Sequence, residues 1–139
     1  MKLTRNKYLN TKVNIDGTTF DSKKESKAYL RLKELADVGL INNLELHPKW
    51  ELIPKITETY TKHLKTKDKE CERVVQLPIT YTADFSFNYK GKRFVLDVKP
   101  SKSLLPKEFV LKEKLMRYFH NIEITKIYAL KDLEQFTKI

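Results

Sequence analysis

Apolar residues in this chain follow two periods, and the change between them marks the elements. Val13-Asn-Ile-Asp-Gly-Thr-Thr-Phe20 alternates around Asp16-Gly17, the signature of a short hairpin. Ser22-Lys-Lys-Glu25 is a capping-box pattern that opens a helix, and Gly39 is its expected stop. Within it Ala28/Tyr29, Leu32 and Leu35/Ala36 fall three and four apart, so one stripe is apolar. Leu46, Trp50, Leu52 and Ile53 mark a strand between Leu44 and Pro54, interrupted at His47-Pro48. Two more strands follow, Ile79–Phe87 and Arg93–Lys99, around a Tyr89-Lys-Gly-Lys92 turn. Pro106 opens a second helix over about 106–119, with Phe109, Leu111, Leu115, Met116 and Phe119 apolar. Ile122–Leu130 is β-branched and strand-like, and a short terminal helix begins at Lys131. The order helix, strand, strand, strand, helix, strand predicts an α/β (α+β) domain with a mixed central sheet flanked by helices.

A turn centred on Lys90-Gly91 fixes the register of the central hairpin. Phe87 then meets Phe94, Phe85 meets Leu96, and Ala83 meets Val98 on an apolar face. On the opposite face Asp84 falls opposite Asp97, with Lys99 two residues further on. A three-residue turn would instead set Phe85 against Asp97 and mix the faces. Directly opposed carboxylates repel, so the arrangement is poor for a sheet. It suits a divalent cation and a positioned water, and without metal one of the two acids should have a raised pKa. Glu25 shares the inward stripe of the first helix. It is either the reciprocal partner of Ser22 in the cap or a third carboxylate facing the same site.

Composition adds a partner. The 139 residues suit one domain, and 28 Lys/Arg against 18 Asp/Glu leave a net charge of +10. Such an excess favours a polyanion, nucleic acid first. Cys71 is the single cysteine, so neither an intrachain disulfide nor a cysteine zinc site is available. The chain lacks both a run of about 18 apolar residues and a signal-peptide core, so no membrane partner is expected and the cytosol is the default compartment. Residues 1–12 read as a loose basic arm, and 55–73, rich in Lys, Thr and Glu, as a charged loop or excursion. Trp50 and His47 read as core and strand-end residues.

The spaced set Glu25, Asp84 and Asp97-Val98-Lys99 resembles the PD-(D/E)XK nuclease superfamily, although Ala83 stands where the literal motif has proline. The text from Asn14 to Tyr29, Leu46-His-Pro-Lys-Trp-Glu-Leu52 and Tyr81-Thr-Ala-Asp-Phe85 resembles an uncharacterised family common in bacteriophage genomes. Asp97-Val-Lys-Pro-Ser101 is similar to the endonuclease subunit of heteromeric transposases, of the same superfamily. The resemblance implies a restriction-endonuclease-like αβββαβ core. It also implies a Mg²⁺ site, with Mn²⁺ able to substitute, formed by Asp84, Asp97, the Val98 carbonyl and Glu25. Lys99 would act on the attacking water or the phosphate.

The expected activity is metal-dependent DNA endonuclease, phage-encoded and acting in the bacterial host cytoplasm. Branched DNA such as a Holliday junction is the first substrate to consider, and symmetric cutting of two strands implies a homodimer. Lys102, Lys107, Lys112, Lys114 and Arg117 are candidate phosphate contacts, with Lys112 one turn from Glu108 and able to pair with it. Alternatives are a transposase-like or restriction-type endonuclease, an inactive DNA-binding accessory protein on the same fold, or a structural virion or packaging-associated protein.

Overall fold

The computed structural model describes residues 12–139. Of the expected basic arm only Lys12 is among them. A hairpin of β1 (Val13–Ile15) and β2 (Thr18–Phe20) leads into α1 (Lys23–Asp37). Asp16 and Gly17 both have positive φ, as a two-residue turn matched to strand twist requires. Ser22 caps α1 by accepting from the Glu25 N–H at 3.1 Å. At the other end Gly39 N–H donates to the Ala36 carbonyl and Leu40 N–H to the Leu35 carbonyl, which closes the last turn with Gly39 at φ +81°.

Next come β3 (Ile41–Leu46), β4 (Lys49–Ile53), β5 (Ile56–His63), β6 (Asp68–Gln76), β7 (Ile79–Thr82), β8 (Phe85–Tyr89) and β9 (Lys92–Val98). A 3₁₀ turn at Lys102–Leu104 precedes α2 (Lys107–His120), β10 (Ile124–Ile127) and a 3₁₀ segment Leu130–Phe136, where a short helix was expected. The main sheet has the order β10-β9-β8-β3. β9 pairs antiparallel with β8 and parallel with β10. The chain order of α1, β3, β8, β9, α2 and β10 is therefore αβββαβ on a mixed sheet, as expected. No helix among the described residues is long and apolar enough to cross a membrane.

Alternation along β9 builds two cores. Leu96, Phe94 and Val98 join Phe20, Leu32, Phe85, Phe87 and Phe136 on the α1 side. Val95 turns the other way, to Tyr81, Phe109, Met116 and Ile124 under α2. Lys90 and Gly91 have positive φ, and Phe87↔Phe94 and Phe85↔Leu96 pair as the two-residue turn requires.

Three expectations need correction. The β8–β9 ladder stops at Phe85↔Leu96, because the chain bends at Asp84. Ala83 consequently leaves the Val98 face and joins the α2-side core, and its N–H donates to the Pro48 carbonyl. The interrupted strand at 44–54 is two strands in different sheets, since β3 pairs with β8 and β4 with β7. Residues 55–73 are mostly strand: β5 and β6 form an exposed two-stranded ribbon, in which the threonines of β5 alternate with Glu58, Tyr60 and Lys62.

Candidate active site

The site forms where β8 begins, β9 ends and α1 starts. Pairing is Leu46↔Phe85 on one side of the bend and Lys49↔Thr82 on the other. Counting inward, His47 falls opposite Asp84 and Pro48 opposite Ala83. The backbone agrees, with His47 N–H donating to the Asp84 carbonyl at 3.0 Å. His47 has φ +52°, a left-handed conformation uncommon outside glycine. Its ring Nε2 lies 3.0 Å from Glu25 Oε1. Such local strain is found where a side chain must be aimed.

Glu25 is 6% exposed, so the first turn of α1 carries a buried carboxylate. Only half of the expected capping box exists. Ser22 accepts from the Glu25 backbone, while the Glu25 carboxylate meets His47. Burial raises the Glu25 pKa, and the contact with His47 opposes that rise. Asp21 and Asp97 add negative charge nearby.

Asp84 is held at the bend by its own backbone and side chain. Its N–H donates to the Leu96 carbonyl at 3.1 Å, and its Oδ2 accepts from the Val98 N–H at 2.7 Å. Burial, then the neighbouring charges of Asp97 and Glu25, push its pKa well above the usual carboxylate range. A raised pKa was expected for one of Asp84 and Asp97, without choosing between them; for Asp84 desolvation stands ahead of charge repulsion as the cause.

Asp97 is 5% exposed and differently placed. Tyr81 Oη donates to its Oδ2 at 2.5 Å, and Lys99 Nζ lies 3.3 Å from its Oδ1. Burial and the Asp97 charge raise the Tyr81 pKa, so the phenol keeps its proton and donates. Lys99 also sits over the Phe109 ring, 4.0 Å from its centroid, and its N–H donates to the Ile127 carbonyl. The lysine is thus fixed at both ends rather than being an exposed strand-end residue.

The donor atoms of Glu25, His47 and Asp84 lie within 4.8 Å of one another, a spacing that one cation can span. This differs from the expected set in two ways. His47, read as a strand-end residue, belongs to the cluster; Asp97 stands beside it, with both oxygens engaged by Tyr81 and Lys99. Val98 contributes its N–H to Asp84 and lines the cleft. A buried and a half-buried carboxylate, both of raised pKa, are a donor set that a hard divalent cation fits, because the ion would relieve their mutual repulsion.

Asp84, Asp97 and Lys99 line two adjoining clefts. One, of about 460 Å³, includes Asp21, Lys24, Glu25 and Pro100. The other, of about 410 Å³, includes Thr80, Tyr81, Glu108, Phe109 and Lys112. Lys24, unremarked in the sequence, donates to the Lys99 carbonyl at 3.0 Å and puts a cation at the cleft rim. The expected basic contacts disperse. Lys112 lines the second cleft but pairs with Glu108 at 3.0 Å. Lys102, in the 3₁₀ turn, and Lys107, at the start of α2, are both exposed, Lys102 5.9 Å from the Tyr128 ring centroid. Lys114 is exposed, and Arg117, about 15 Å along the helix from Lys107, is paired with Glu123. His47 had one sequence signal, its place in the break before Pro48; Tyr81 had another, its place on the strand leading to Asp84.

No curated protein and no solved structure matches the chain. A family model described as "Protein of unknown function (DUF1064)" matches residues 5–134, and the chain belongs to that family.

Proposed function

We propose that this protein is a metal-dependent DNA endonuclease of the PD-(D/E)XK type. The observation that carries the reading is the meeting of buried Glu25 and half-buried Asp84 with Asp97-Val98-Lys99 at one end of a mixed sheet of αβββαβ order. The αβββαβ order on a mixed sheet is compatible with that reading. A net charge of +10 suits a polyanionic substrate.

Asp84 and Glu25 would hold Mg²⁺ or Mn²⁺, with the Val98 carbonyl as a further oxygen donor. Oxygen-rich sets favour these ions over those that prefer imidazole, so His47 serves as the partner that orients Glu25. When bound, the ion supplies charge neutralisation at the phosphate and a more acidic water. Lys99, held by Asp97, presents a positive charge toward the developing charge on the phosphate. Tyr81 fixes Asp97 and so fixes Lys99 at one remove. In the net reaction a water oxygen forms the new P–O bond, a bridging P–O bond breaks, and the leaving oxygen takes up a proton.

Branched DNA is the substrate to test first, with a homodimer cutting two strands in a bacterial host cytoplasm; a transposase-like or restriction-type nuclease uses the same centre. The engagement of both Asp97 oxygens by protein groups favours a second reading, an inactive DNA-binding accessory protein. Incubation with linear, flapped and four-way DNA in Mg²⁺, Mn²⁺ or EDTA separates them. A nuclease cuts at least one substrate with metal and none in EDTA. An accessory protein binds DNA, cuts nothing and takes up no Mn²⁺.

A further inference from the structure

The β5–β6 ribbon is sorted by charge in a way its own stability does not require. Its eight-residue β5 strand extends about 26 Å, exposed throughout. Opposed residues share a face, and the face changes at each step. One face carries Glu58/Arg73, Tyr60/Cys71 and Lys62/Lys69, and Lys67, two residues from Lys69, continues it. Arg73 lies over the Tyr60 ring, 5.3 Å from its centroid. The other face carries Thr59/Glu72, Thr61/Glu70 and His63/Asp68.

Lysines and glutamates placed opposite each other would have stabilised the ribbon. Lys62 instead opposes Lys69, and the acids Asp68, Glu70 and Glu72 fall on the far side. Arg73 and His63 are paired, with Glu58 and Asp68. Among the described residues none of Lys62, Lys67 and Lys69 is in an ion pair. An unpaired row of cations beside an aromatic ring, on a ribbon of a width that a major groove admits, fits a nucleic-acid backbone.

We infer that the Tyr60, Lys62, Lys67 and Lys69 face of the ribbon is a second DNA-contact surface, gripping duplex phosphates away from the cleft. This rests on the reading of DNA as the substrate. It makes no demand on base sequence, because the groups are phosphate-seeking lysines rather than base-reading side chains.

The test uses the full chain in EDTA, so that cutting does not intervene. Binding of a 30-base-pair duplex is measured against salt for the wild type, for K62Q/K67Q/K69Q, and for T59A/T61A on the opposite face. The lysine variant should bind about tenfold more weakly near 0.1 M salt, with its log–log salt slope shallower by about 2–3. The threonine variant should match the wild type. Cys71 lies on the lysine face, so duplex DNA should also slow its alkylation by a maleimide in the wild type. Equal slopes in all three proteins, or unchanged Cys71 alkylation, would overturn the assignment. Cys71 protection that grows with protein concentration in the absence of DNA would overturn it too, in favour of self-association. If the wild type cuts DNA in Mg²⁺ while the slopes stay equal, the ribbon assignment alone fails. If the wild type binds no duplex, the DNA reading falls with it.

Discussion

At the scale of single residues, the site concentrates negative charge where water is scarce. Glu25 and Asp97 are buried there, and the raised pKa of half-buried Asp84 beside them has a consequence for stability. An acid whose pKa is higher in the folded than in the unfolded state contributes stability below its unfolded pKa, near 4, which is lost as pH rises through the folded pKa. Asp84→Asn should therefore gain on the metal-free wild type as pH rises from 5 to 8, by an amount on the order of 1 kcal/mol. Urea melts in EDTA at both pH values measure it; a gain that shrinks with pH contradicts the burial of a repelled carboxylate. The same substitution should abolish cleavage and leave DNA binding intact. Glu25→Gln should fold normally, since Ser22 caps the backbone without the Glu25 carboxylate, yet lose most activity and Mn²⁺ affinity. Near-wild-type turnover in that variant would return Glu25 to a structural role. Lys99→Ala should lose about a hundredfold in rate with little change in metal affinity, because Lys99 contacts Asp97 and Phe109 rather than the donor cluster. Calorimetric metal titration beside single-turnover rates separates those two effects.

At the scale of elements, the β8–β9 hairpin aims the site, and its turn sets the register. Gly91 has φ +78° and open space where a Cβ would stand, so Gly91→Ala is a test of backbone conformation alone. It should cost about 1–2 kcal/mol in thermal or urea unfolding, and a loss near zero would mean that the turn does not hold the hairpin. This hairpin was legible because period-two alternation and a Lys-Gly turn are local signals. The two helices were legible for similar reasons, through Ser22 and Gly39 for α1 and Pro106 for α2. The bend at Asp84 was not, because it depends on β4 and β7 pairing with each other rather than joining the main sheet. That pairing is long-range, and it brings His47 opposite Asp84 and moves Ala83 to the other core. Residues 55–73 carry no strand signal for a different reason. Strand signals rely on a buried apolar face, and β5 and β6 have almost none.

At the scale of the molecule, a sheet covered on both faces leaves one end open, and the acids gather there between two clefts. Of the basic residues, Lys24, Lys99 and Lys112 line these clefts, so under the proposed reading DNA attraction and metal binding would be served by different residues. If about five to eight phosphates are neutralised, log K should fall with log salt at a slope of about −4 to −7. A homodimer matched to branch shape should keep its preference for four-way junctions at near-physiological salt, and equal competition by linear duplex would remove that preference. More direct than any binding measurement is cleavage of a DNA panel by the wild type and Asp84→Asn, each in Mg²⁺, Mn²⁺ and EDTA. A nuclease centred on Asp84 cuts in metal only, and only as the wild type; uncut DNA in every lane, or equal cutting by Asp84→Asn, contradicts it.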